Sequence, residues 1–166
     1  MQLLRDIFEG VLNGHIKMVP DRSGGATFGL ILHYMAFTSG SVDDREFAIS
    51  YLNKLRKRYR ARRAPLIFPS HAVLQILGDA SFEDALDGAT GQRSLEGAME
   101  VGRSDALALS HLGVALFHDG VVFRSHGEER SCQGRMVQVC NLGFRTEFIR
   151  WQLARYEVQR LQTLRR

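Results

Sequence analysis

Apolar residues recur with helical spacing along most of this chain. Leu3, Leu4, Ile7, Phe8, Val11 and Leu12 fall on one face of a predicted first helix, and Gly14 stands where a C-terminal cap belongs. The turn-rich stretch from Pro20 to Gly25 breaks the pattern. Phe28 to Phe37 is then a nearly unbroken apolar run, whose length and flanking glycines predict a short core helix in preference to a strand. Ser41, followed by Asp43 and Asp44, predicts the capped start of the next helix, on which Phe47, Ala48, Tyr51, Leu52, Leu55 and Tyr59 share a face. Pro65 and Pro69 end that segment.

Downstream, Ser70 and Ser81 each begin a short apolar-periodic piece, and Ser81-Phe82-Glu83-Asp84 resembles a capping box with Asp in place of Glu. Residues 87–92 read as an exposed loop and 94–101 as one or two loose helical turns. Ser104 is the expected cap of a helix from Asp105 to Phe117, with Leu107, Leu109, Leu112, Ala115 and Leu116 in the core. Val114 to Phe123 also reads as two strands around an Asp119-Gly120 hairpin turn, but the preceding cap and the continuous apolar content favour helix. In a last helix, Glu147 to Leu164, the residues Ile149, Leu153, Tyr156, Leu161 and Leu164 lie near one stripe, with Arg150, Arg155 and Arg160 opposite. The expected fold is mainly α, a compact multi-helix single domain over residues 1–166, with a β-hairpin near 114–123 as the alternative.

Charge adds a functional direction. The ten residues 54–63 carry seven cations, Lys54, Arg56, Lys57, Arg58, Arg60, Arg62 and Arg63, and no anion. The other 15 basic residues face 18 acidic ones, so the rest of the chain sums to −3 against +7 here. A patch of this kind displaces condensed counterions from a polyanion, which makes nucleic acid or an anionic membrane surface its natural partner. Only Lys17, Lys54 and Lys57 are lysines. The arginine bias suits phosphate, because a planar guanidinium grips two oxygens at once. The same composition serves as an address for a nuclear import receptor or as a solvated helix face. Favourable placement of cations at a helix C-terminus explains part of the run, though seven in ten residues exceed that need.

Catalytic and metal chemistry find little support. His118, His126, Cys132 and Cys140 are separated by eight, six and eight residues, with no Cys-x-x-Cys knuckle and no His pair one helical turn apart. His118-Asp119 suggests a base with an orienting carboxylate, but neighbours on a helix diverge and no nucleophile motif accompanies them. The glycines around Ser23 to Gly29 lack both the Gly-Lys-Ser/Thr of a phosphate loop and the Gly-x-Gly-x-x-Gly of a dinucleotide site. No cofactor and no metal are called for, and the expected role is not enzymatic. Two cysteines make no disulfide framework, and the pattern shows neither a signal peptide nor an apolar stretch near the ~20 residues of a membrane span, so the expected location is intracellular or inside a particle.

Three local segments add a family likeness: Gly29-Leu30-Ile31-Leu32, the helix Arg45 to Asn53, and Ala108-Leu109-Ser110-His111 followed by Ala115-Leu116. With these and its arginine-rich helix end, the chain resembles the N-terminal domain of influenza-type matrix proteins. The resemblance implies a basic cluster that combines nuclear import, ribonucleoprotein contact and membrane-surface association, with Lys54, Arg56, Lys57 and Arg58 as the matching residues, and a structural protein of the virion.

Together these expectations describe a nucleic-acid or ribonucleoprotein binder, RNA before DNA, that uses residues 54–63 with little reading of base sequence. Tyr59 is a candidate for stacking on an unpaired base, with burial as its alternative. The competing reading is an adaptor or effector whose basic helix docks on an acidic protein. The charge asymmetry also suggests a homo-oligomer, the basic run of one copy meeting Glu83, Asp84, Asp87, Glu96 and Glu100 of another.

Overall fold

The computed structural model describes residues 6, 10, 25–61, 65–143 and 148–163. Apart from Asp6 and Gly10, which are helical, the expected first helix lies outside them. Eight helices follow among the described residues: α1 Ala26–Ser39, α2 Val42–Ala61, α3 Ser70–Ile76, α4 Phe82–Thr90, α5 Leu95–Ser104, α6 Ala106–Ser125, α7 Glu129–Asn141 and α8 Phe148–Thr163. The fold is all-helical. Length and composition suggest one domain, whereas the contacts divide the chain into two compact units, Met1–Pro65 and Leu66–Arg166.

In the first unit, α1 and α2 pack side by side. Ser41 and Asp44 exchange hydrogen bonds, the Ser41 amide donating to the Asp44 carboxylate at 3.1 Å and the Asp44 amide to the Ser41 hydroxyl at 3.3 Å. This capping box starts α2. Its buried face is Asp44, Ala48, Tyr51, Leu52, Leu55 and Tyr59, spaced as a 3.6-residue helix requires. Gly29 lets the two helices approach closely: a Cβ there would lie 2.7 Å from Leu52 Cδ2 and 3.1 Å from both Leu55 Cδ1 and Tyr51 Cε1. His33, on α1, is buried beside Phe37, whose ring also lies under the Arg45 guanidinium. Burial lowers the His33 pKa to about 4.

The second unit is built around α6, against which α3, α4, α5, α7 and α8 all pack. Residues 112–121 are buried on every side, which explains why α6 is apolar all round. Its 20 residues include an 18-residue stretch of mean hydropathy 1.5 that meets the length and composition of a membrane span, contrary to the sequence expectation that no stretch does; 61% of that stretch is buried inside the protein.

Several sequence expectations need correction here. Residues 114–123 are helical, as the favoured reading has it, and only the hairpin alternative falls: the Asp119 carboxylate accepts from Gln75 Nε2 at 2.6 Å and from Arg135 Nε instead of closing a turn. Gly120 does not turn either; a Cβ on it would lie 2.9 Å from Met136 Cε, so the glycine admits α7. The cap of α6 is Asp105, whose carboxylate accepts from the amides of Leu107 and Ala108, while the Ser104 hydroxyl donates to Val101 O in the last turn of α5. Leu107 is 65% exposed, because the first turn of α6 precedes its buried stretch. Asp87 to Thr90 continue α4 up to Gly91, whose φ of 73° caps it, and 95–104 form a full helix instead of loose turns. The Ser81–Asp84 capping box is present as the sequence suggests.

The largest correction concerns α8. Its buried face is Arg150, Ala154, Glu157 and Leu161, while Ile149 and Tyr156 are 54% and 55% exposed. The helix is turned by about one residue, roughly 100°, from the apolar stripe.

Candidate nucleic-acid interface

The basic run forms the last two turns of α2. Leu55 and Tyr59 anchor those turns on the buried side, and Lys54, Lys57, Arg58 and Arg60 are exposed. Arg56 is half-buried. Arg62 and Arg63 lie outside the described residues. Lys54, Lys57 and Arg58, at i, i+3 and i+4, share one strip about 6 Å long on the helix axis. That length spans adjacent phosphates, which repeat every ~3.4 Å of axis along one DNA strand. Asp43 and Asp44 begin the same helix, with Arg58 and Arg60 in its last turn, so both ends complement the backbone dipole.

Tyr59 is 5% exposed and belongs to the core. Withdrawing a side chain of that size from the interior costs about 1.5–3 kcal/mol, as much as the ~1–3 kcal/mol gained by stacking on a base. No net gain remains. Among the described residues, α2 therefore offers phosphates a cationic strip and offers bases no aromatic platform.

The three arginines expected together opposite the apolar stripe of α8 are dispersed. Arg150 is buried, 3% exposed, and its Nε donates to His118 Nε2 at 3.0 Å; burial lowers its pKa to about 10. Glu157, wholly buried, accepts from Arg124 at 2.8 Å and from Arg160 Nε at 3.0 Å, and Arg160 also reaches Glu129 at 3.7 Å. Only Arg155 of the three α8 arginines is exposed, its guanidinium 4.8 Å from the Trp151 ring centre. Sequence patterning missed this buried ionic layer, because Arg and Glu in a core stripe produce no hydrophobic periodicity. Its single trace is Ala154 midway between Arg150 and Glu157.

His118 and Asp119, adjacent in sequence, point to different partners: the histidine to Arg150 on α8, the aspartate to Gln75 on α3 and Arg135 on α7. They form no dyad. Burial raises the Asp119 carboxyl, against the opposing pull of Arg135 and Gln75. The other zinc candidates are likewise apart in character: His126 is exposed, Cys140 half-buried, and Cys132 buried with its thiol pushed up to about 11. Among the described residues no group of three or more His, Cys, Asp or Glu side chains is gathered as a metal site.

The acidic residues expected to meet the basic run lie on neighbouring helices. Glu83 and Asp87 are exposed on α4, and Glu96 and Glu100 on α5. Asp84 is engaged by Ser81 and, at 2.8 Å, by Arg93. No family model, curated protein or solved structure matches the chain.

Proposed function

We propose that this protein binds nucleic acid, free or as ribonucleoprotein, through the phosphates, and that its role is binding and assembly instead of catalysis. The observation that carries the reading is the exposure of Lys54, Lys57, Arg58 and Arg60 on a helix whose opposite face is held by Leu55 and Tyr59. These cations are exposed on a helix anchored from its buried side, in contrast with Arg124, Arg135 and Arg160 of the second unit, whose guanidinia lie against the buried carboxylates of Asp119 and Glu157. Phosphate contact of this kind positions a ligand without reading its sequence. The likeness to matrix domains extends the proposal to a structural protein that packages ribonucleoprotein.

Affinity for RNA and DNA across a salt series tests it. Neutralising Lys54, Lys57 and Arg58 together should flatten the plot of log affinity against log salt by up to about 2.7 units of slope, at ~0.9 per phosphate on duplex DNA. An unchanged slope overturns the proposal. Binding that instead needs an acidic protein, and falls when apolar neighbours of the strip are altered, would assign the helix to protein docking.

A further inference from the structure

The turn of α8 away from its apolar stripe leaves an unusual solvent face. Gln152, Arg155, Tyr156, Gln159, Gln162 and Thr163 are exposed, and the helix's only carboxylate, Glu157, is wholly buried. A helix kept in water by charge alone carries interspersed lysine and glutamate. This one carries three amides, an aromatic ring and one cation. Tyr156, with Gln159, Arg160 and Thr163, borders an open depression of about 360 Å³. Trp151 Nε1 donates to Cys140 O at 3.3 Å, which orients the indole against which the Arg155 guanidinium lies. The nearby acid on α7, Glu129, is paired with Arg160.

We propose that this face takes unpaired bases of single-stranded nucleic acid. Tyr156 and the guanidinium of Arg155 supply flat surfaces for stacking, and the Gln152 and Gln159 amides supply the paired donor and acceptor that base edges require. A carboxylate-free face with a net positive charge fits a polyanion. The inference rests on the reading of α2 as a phosphate-binding strip and adds a separate face to it, one that contributes base contact with little charge.

The test uses the full chain with a single-stranded oligonucleotide and a duplex of equal phosphate number. Tyr156 is half exposed, so Tyr156→Ala should fold normally, and it should lower single-strand affinity by about 5- to 150-fold, the loss of one stacked base. Duplex affinity and salt slope should not change, and Tyr156→Phe should bind as the parent does. Trp151 is the chain's one tryptophan, so its emission should respond to single strand and not to duplex. Single-strand affinity unaltered in Tyr156→Ala, or an equal fall for both ligands, overturns the inference and leaves the α2 reading standing. A parent protein that binds neither ligand overturns both.

Discussion

Replacing Glu157 by Gln should be among the most damaging single changes in the second unit. The carboxylate is wholly buried and accepts from two guanidinia, Arg124 at 12% and Arg160 at 23% side-chain exposure. Both guanidinia donate to the same oxygen, Oε2, so the amide can keep the shape and both hydrogen bonds through its oxygen, but it removes the negative charge that balances them. Removing one partner of a buried pair typically costs about 3–5 kcal/mol, because the charge left behind has lost both water and its counterion. Arg160 retains Glu129 at 3.7 Å and some access to water, so the lower end applies, about 3 kcal/mol. For a unit of about 100 residues, at about 5 °C per kcal/mol, the midpoint of thermal unfolding should fall by roughly 15 °C. Urea titration followed by far-ultraviolet circular dichroism measures the loss directly. The triple replacement Arg124→Leu, Glu157→Leu, Arg160→Leu should recover much of it, since a well-packed apolar set removes the stranded charges. A loss below about 1 kcal/mol in Glu157→Gln would refute the reasoning, showing that both guanidinia relax into solvent.

Two further perturbations, at Gly29 and His33, probe the first unit, and a third, at Gly134 in the second, serves as a control. Gly29→Ala gains up to about 1 kcal/mol of helix propensity but forces a Cβ to 2.7 Å from Leu52, an overpacking of about 1–3 kcal/mol, so stability should fall. Gly134→Ala on α7 meets nothing within 4 Å and should instead raise stability by about 0.5–1 kcal/mol; denaturation midpoints that move the same way for both would sink the packing argument. His33 has a folded pKa near 4, below its ordinary value of about 6.5, so the unfolded chain takes the proton first and stability is lost as pH falls from 6.5 towards 4. The loss attributable to this residue should approach about 3 kcal/mol, and a His33→Leu chain whose stability falls as steeply over that window would show that His33 is not its source.

Most of the helical architecture was legible wherever burial and apolar periodicity coincide. The α1 run, the α2 face and the Ser81–Asp84 box carry local signals that tertiary packing only reinforces. Legibility ended where a core position is polar. Asp119-Gly120 has the local chemistry of a hairpin turn, yet Gln75 and Arg135 satisfy the carboxylate from two other helices, and the missing Cβ admits α7. Neither partner is close in sequence, so no window of residues around the pair could reveal them. Residues 129–141 form α7 although no apolar stripe announces it, since Cys132, Met136 and Val139 alone of its residues are buried.

The same limit governs how much of the candidate site could be read. Counted along the chain, the arginines of α2 and those of α8 look alike, and only burial separates them. Arg150 is enclosed beside His118 and Arg160 is shared between two glutamates, so the charge of both is spent inside the protein. Lys54, Lys57 and Arg58 project from a helix whose opposite side is fixed by Leu55 and Tyr59, so theirs faces outward. A charge that already has a partner releases few counterions from a new ligand, and therefore contributes little to the salt dependence of binding. The contrast between the two helices thus becomes measurable: neutralising the α2 strip should change the salt slope, whereas the role of α8 should appear in the state of the nucleic-acid strand and hardly at all in salt.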